Sequence, residues 1–234
     1  MTAGRAMLAA QNNADWYAMM WDVRGSRYIR DRHGFRAIDP PPPYHGWATT
    51  VPDAPIRAMI EPLLGQPGFA VKDGSGQHDL TAIGLKQMFN ATWLWHAPDF
   101  TVDVSDWVQV DTPAALARWE QGWGDNAPTD QRQFPDAILS RADVRIWGRQ
   151  HGDRFDAGVI ANLSDDCVGL SNSFGTNARA SATALCAGFG QGRPVVGYER
   201  GSALTEALKT GWEPVGPLTV WNRAFTGRRP EPPH

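Results

Sequence analysis

The stretch that most constrains this chain runs from Pro194 to Trp221. Its apolar run Pro194-Val195-Val196-Gly197-Tyr198 has the length and β-branched content of a buried strand, and Glu199-Arg200-Gly201 ends it in charge. A helix signal follows at once. Ser202 is placed to cap it, Leu204, Ala207 and Leu208 share one face, Lys209 sits in the last turn and Gly211 stops it. Trp212 to Val215 and Leu218 to Trp221 read as a closing strand broken by Gly216-Pro217. A charged Tyr-Glu-Arg at the end of a buried strand, just before a helix, is where open α/β sheets keep their chemistry.

The segment feeding this stretch reads as a meander. Trp107-Val108-Gln109-Val110 is a strand, and Thr112 then caps a helix with Pro113 at its first position and Leu116, Trp119 and Trp123 on one face. A polar loop spans Gly124 to Gln133. Val144–Trp147, Ala157–Ala161 and Cys167–Ser171 are strands whose short turns imply antiparallel pairing. Gly175-Thr176-Asn177 leads into a helix with Ala182, Leu185, Cys186 and Phe189 at i, i+3, i+4 and i+7. Gly188 to Arg193 ends that helix, and a right-handed crossover delivers the Val195 strand parallel to the one before.

The first hundred residues carry a fainter version of the same order. Asn12-Asn13 reads as the cap of a helix with Trp16, Met19, Met20 and Val23 on one face. Four prolines, Pro40 to Pro43, then stiffen a crossover that can hold Tyr44, His45 and Trp47 as a wall over a cleft. Asp53 is placed to cap a second helix bearing Ile56, Met59, Ile60 and Leu63. Phe69–Asp73 reads as a strand ending in charge, Asp79–Gly84 as a helical turn and Met88–Trp95 as a strand. Val71-Lys72-Asp73 thus corresponds to Val196 to Glu199, and Trp93-Leu94-Trp95 to Thr219-Val220-Trp221, in two halves meeting near His96 to Asp103.

Strand, polar turn, helix ending in Gly211-Trp212, then "EPVG" and a closing strand resembles the C-terminal end of the GNAT (GCN5-related N-acetyltransferase) fold, over about Val102 to Trp221. The resemblance implies an α+β protein with a mixed sheet and flanking helices, arranged as two tandem GNAT-like halves. Residues 1–99 would be a degenerate first half, residues 100–223 the second, and the Pro- and Arg-rich residues 224–234 a disordered tail. It also implies a site for acetyl-CoA or another acyl-CoA where two strands splay apart. Val168, Leu170, Ser171 and Phe174 would meet the pantetheine arm, and Gly175, Thr176, Asn177, Ala178 and Arg179 would cradle the pyrophosphate at a helix N-terminus.

Two departures from the family pattern stand out. The loop lacks the usual Arg or Gln followed by Gly-x-Gly or Gly-x-Ala, and Ala207 stands where the family often has a proton-donating Tyr. Tyr198 and Glu199 are the nearest replacements, Glu199 able to take a proton from an amine if burial raises its pKa, with Arg200 beside it as a salt-bridge partner. Asn172, polar in a strand expected to be buried, needs a backbone or ligand partner and completes the catalytic candidates. Tyr44, Trp47, Lys72 and Asp73 are the acceptor-binding candidates, the last two because the repeat aims them at the same cleft as Tyr198 and Glu199. The expected activity is transfer of an acyl group, acetyl first, from coenzyme A to the amine of a small molecule. The alternative is a GNAT-shaped binding or partner-interaction module that has lost coenzyme use.

Charge and composition narrow the partners. A formal net charge of −3 with no block of Lys or Arg argues against nucleic acid, which needs a clustered basic surface. No run approaches the ~20 apolar residues of a membrane span. His78 and His151 lack a second ligand at metal spacing, so no metal is expected. Two cysteines and no export signal point to a cytoplasmic protein. Eleven Trp residues read chiefly as core. Nothing in the sequence sets the oligomeric state.

Overall fold

The computed structural model describes residues 2–124 and 132–223. The chain opens with α1 (Thr2–Asp22), followed by β1 (Tyr28–Asp31), β2 (Gly34–Ala37), β3 (Ala48–Thr50), the short α2 (Ile56–Ile60), β4 (Ala70–Asp73) and the long β5 (Leu85–His96). Next come β6 (Trp107–Gln109), α3 (Pro113–Trp123), β7 (Val144–His151), β8 (Arg154–Leu163) and β9 (Val168–Phe174). The chain continues with α4 (Arg179–Phe189), β10 (Val195–Glu199), α5 (Gly201–Lys209) and β11 (Glu213–Arg223). The loop centred on residues 125–131 and the tail 224–234, expected to be disordered, lie outside the described residues.

All eleven strands form one mixed sheet in the order β1-β2-β3-β4-β11-β5-β10-β9-β8-β7-β6. The expected α+β class is present. The strands of residues 1–99 and 100–223 interleave: β5 pairs with β10 on one side and β11 on the other, and β11 in turn pairs with β4. Each segment's last strand therefore hydrogen-bonds to the other segment's penultimate strand. β3–β4 and β9–β10 are the parallel pairs, and the remaining pairings are antiparallel.

α1 crosses the middle of one face, against β2, β3, β5, β9, β10 and β11. Its inward side carries Ala6, Ala9, Ala10 and Ala14, small enough to let the helix lie close on the strands, and then the buried Trp16, Met20 and Trp21. On the other face a second core gathers Val159, Val168, Ala182, Cys186, Val195 and Trp212 beneath α4 and α5. All eleven Trp residues are buried or half-buried, as core packing requires.

Three caps differ from expectation. α1 begins ten residues before Asn12, so Asn12 and Asn13 lie inside the helix. Asn12 Nδ2 donates to the Asn162 carbonyl at 3.2 Å and Ser164 Oγ at 3.0 Å, tertiary bonds that remove the competition a mid-helix Asn normally offers. Asp53 caps nothing, because α2 starts after Pro55 with no side-chain cap. Ser202 lies within α5, whose N-cap is the extended Arg200. Thr112 does cap α3, accepting from the Ala115 amide at 3.2 Å.

Candidate active site

β9 and β10 pair only at Val168–Val195 and Gly169–Val196 and then separate. The cause is local. Asn172 takes a left-handed φ of 50°, and the β8–β9 register slips between Gly158–Phe174 and Ile160–Ser171. Asn tolerates that conformation better than most residues, and the bulge turns β9 away from β10. The half-exposed Asn172 was legible as an anomaly in the sequence, but not as a bulge.

Two cavities open into the gap and share Ser173 and Glu199. The outer one, about 530 Å³, is lined by Phe174, Gly175, Thr176, Asn177, Ala178 and Arg179, the loop the sequence singled out. Gly175 has φ +103°, and a Cβ there would lie 2.4 Å from Ala157 Cβ, so no other residue fits the turn. α4 starts with no side-chain cap, which leaves the amide groups of its first turn for an anion. Glu206 on the same wall is paired with Lys209 Nζ at 2.7 Å. These residues fit a phosphate-bearing ligand through backbone donors. Arg179 supplies no free charge, because its guanidinium donates to the Glu199 carboxylate and lies 5.8 Å from the Trp212 ring centroid. This ion pair joins the start of α4 to the end of β10, where the cavities meet. Arg200, the partner expected for Glu199, instead lies over Phe89 at 4.3 Å.

The inner cavity, about 280 Å³, collects Tyr44, Lys72, Asn172, Tyr198 and Glu199. Leu170 and Ser171, expected on the coenzyme side, line this cavity and not the outer one. Lys72 donates from Nζ to Asn13 Oδ1 at 2.8 Å and stands 4.2 Å from the Tyr198 ring centroid and 5.3 Å from that of Tyr17. Burial holds its pKa below the usual lysine value. Burial pushes the Tyr198 phenol up to about 12, with the Glu199 charge adding to the shift. His45 is pushed down to about 4 by burial, opposed by its bond to the Pro43 carbonyl and reinforced by Lys72 and Arg24.

Three candidates lie elsewhere. Trp47 is core, its Nε1 donating to the Pro67 carbonyl at 3.1 Å. Val168 is fully buried beneath α4. Asp73 is buried at the end of β4, accepting from the Ser75 amide and hydroxyl and the His78 amide, and bonded to His78 Nδ1. Asp73 is spent on its own turn while Lys72 enters the cavity, so the two do not share the cleft as the repeat implied. The sequence reading missed Asn12, Asn13, Tyr17, Trp93, Gln133 and Asn162 as cavity wall. For Asn12 and Asn13 the signal was polar residues on an apolar helix face; Trp93 on β5, Gln133 before β7 and Asn162 on β8 carried none. Among the described residues no group of three His, Cys, Asp or Glu side chains is placed to hold a metal, and no helix is long and apolar enough to cross a membrane.

A mixed sheet with a splayed parallel pair, opened by a bulge and followed by a loop and helix N-terminus, is the GNAT fold. A GCN5-related N-acetyltransferase from Kribbella flavida superposes with a TM-score of 0.60 at 13% identity, covering 92% of this chain and 95% of its own. A functionally unknown conserved protein from Staphylococcus epidermidis gives 0.57 at 11%, covering 85% and 94%. A GNAT-family structure from Novosphingobium aromaticivorans gives 0.53 at 15%, covering 80% and 86%. At these identities the likeness is one of fold. The sequence matches no family model and no curated protein.

Proposed function

We propose that this protein is an acyltransferase that moves an acyl group, acetyl first, from coenzyme A to the amine of a small molecule. The donor lies in the outer cavity and the acceptor in the inner one. The observation that carries this reading is the junction: both cavities reach Ser173 and Glu199 at the point where β9 and β10 part. A donor in one cavity and an acceptor in the other are held in contact there, which is the proximity term of catalysis.

Acyl-CoA, when bound, supplies a thioester carbonyl for the amine to attack and a thiolate as leaving group. The chain's own residues do the rest. The first-turn amides of α4 hold the pyrophosphate. Because β9 pairs with β10 only as far as Gly169, the backbone groups of β9 beyond it that face the gap have no strand partner and orient the reacting carbonyl. Glu199 accepts the amine proton as the new C–N bond forms, and Arg179 holds that carboxylate in place. Tyr198, kept protonated by burial, offers its O–H to the departing sulfur. A cavity of about 280 Å³ lies at the small end of ligand pockets, which suits a small acceptor. Two unpaired, buried cysteines accord with work in a reducing cytoplasm.

The test is calorimetry and thermal unfolding with coenzyme A and acetyl-CoA, followed by transfer to a panel of amines. A ligand at 100 times its dissociation constant stabilises the folded state by about 2.7 kcal/mol. Glu199→Gln should bind coenzyme A like the parent and transfer about 10²- to 10⁴-fold more slowly. No binding at millimolar coenzyme A would sink the donor assignment and leave a GNAT-shaped binding module.

A further inference from the structure

The inner cavity holds a cation without a counter-ion. Among its described lining residues the one carboxylate is Glu199, and Arg179 engages it. Lys72 is buried, held by Asn13 Oδ1 and two tyrosine rings, all neutral partners. A lysine can only donate, so Asn13 must turn its oxygen toward Nζ, and the same oxygen accepts from Thr49 Oγ1 at 3.3 Å. The Asn13 Nδ2 group is thereby left beside the ammonium with no bond to another described residue. Two buried acceptors on the same cavity also lack a partner, Gln133 Oε1 and Asn162 Oδ1, in side chains that are 4% and 1% exposed. Of the six buried side-chain polar atoms without a partner among the described residues, these two belong to residues lining the cavity that holds the uncompensated ammonium, where a ligand would complete both. That ligand carries an anion for Lys72 and Asn13, and N–H donors for Gln133 and Asn162.

We propose that the inner cavity binds a free amino acid, its carboxylate on Lys72 Nζ and Asn13 Nδ2 and its amino group toward Gln133, Asn162 and Glu199. The carboxylate supplies the counter-ion the fold omits. This makes Lys72 the specificity residue, because a buried ammonium rejects an acceptor that brings no negative charge. The identity of the amine as acyl acceptor rests on the transferase reading. The binding of the amino acid does not.

The experiment is calorimetry of the full chain, without coenzyme A, against the common L-amino acids and their C-terminal amides. At least one free amino acid should bind, about 10- to 100-fold tighter than its amide, the range for a hydrogen bond to a charged group. Lys72→Met should erase the difference. Asn13→Asp guards against misfolding, since it gives the lysine an internal counter-ion. It should fold at least as well as the parent and lose about tenfold or more in amino-acid affinity. Amides binding as well as free acids, or no binding of either, would overturn the proposal. Carboxylate-dependent binding with no coenzyme A affinity would leave this inference standing and the donor assignment fallen. Coenzyme A binding with no carboxylate preference would do the reverse.

Discussion

The two parallel pairs of the sheet, β3–β4 and β9–β10, follow one plan and end differently. Beyond β4 the chain folds back and closes the gap. The Gly74 amide donates to Thr50 Oγ1 at 3.1 Å, Trp93 Nε1 donates to the Gly74 carbonyl at 2.9 Å, and Asp73 gathers Ser75 and His78 around itself. Beyond β10 the chain turns into α5, while the Asn172 bulge carries β9 away, and the gap stays open with a single ion pair across it. A parallel pair alone does not make a cavity. What matters is whether the residues past the strand ends can bond across, and the sealed side spends its polar groups on itself. The open side leaves a helix N-terminus and the Glu199 carboxylate at the gap. The sealed side contributes Lys72, which reaches across to the open one.

Breaking the sealed side should cost the most. Gly74 lies so near β3 that a Cβ would fall 2.0 Å from the Thr50 carbonyl oxygen. Gly74→Val should therefore destabilise by about 3 kcal/mol or more, or prevent folding, read as a lower urea midpoint. A midpoint near that of the parent would mean the closure is looser than the geometry says. Asp73→Ala comes next. It orphans the Ser75 and His78 donors and should cost about 2–3 kcal/mol. Coenzyme A binding, measured well below the new unfolding temperature, should be unchanged. Lost binding would show that the sealed and open sides act as one unit.

The smallest effect concerns His45, in the loop before β3 and on the wall of the inner cavity. Its pKa of about 4 lies below the unfolded value of 6.5, so between these limits the unfolded chain binds more protons. The stability tied to the neutral ring is complete above pH 6.5 and declines as pH falls toward 4. Allowing for the ring's partial exposure, the loss is on the order of 1–2 kcal/mol. His45→Gln, compared with the parent at pH 7 and pH 4.5, should lose that much less stability on acidification. Equal losses would remove the buried-histidine account.

Local order was largely legible in the sequence. The meander β7 to β9, the cap of α3 and the helix between β9 and β10 are written in short-range patterns, and they fall where those patterns put them. The strand, loop and helix start around Phe174 to Arg179 and the end of β10 were readable for the same reason: their signals lie within a few residues of one another. The caps at Asn12, Asp53 and Ser202 misled because capping propensity is weak beside tertiary contact. Asn12 finds Asn162 across 150 positions, a partner no local window contains.

By itself, then, the sequence determined the elements from β4 onward, their class and the polar end of β10, since hydrophobic period and turn chemistry act between near neighbours; β1 to β3 went unread, because strands of three or four residues in a polar, Pro-rich segment carry too little period of their own. The interleaving of β5 and β11, the bulge that parts β9 from β10, and the meeting of α1, β4, β8 and β10 around one cavity were decided only by the tertiary structure. Lys72 shows why. In the sequence it belongs to a Lys-Asp pair that ends a strand and reads as two residues aimed at one cleft. Strand pairing buries it, sends Asp73 into its own turn, and places the ammonium against Asn13 and Tyr198, residues 59 positions before it and 126 after it, where its chemistry is set by groups brought near only when the sheet closes.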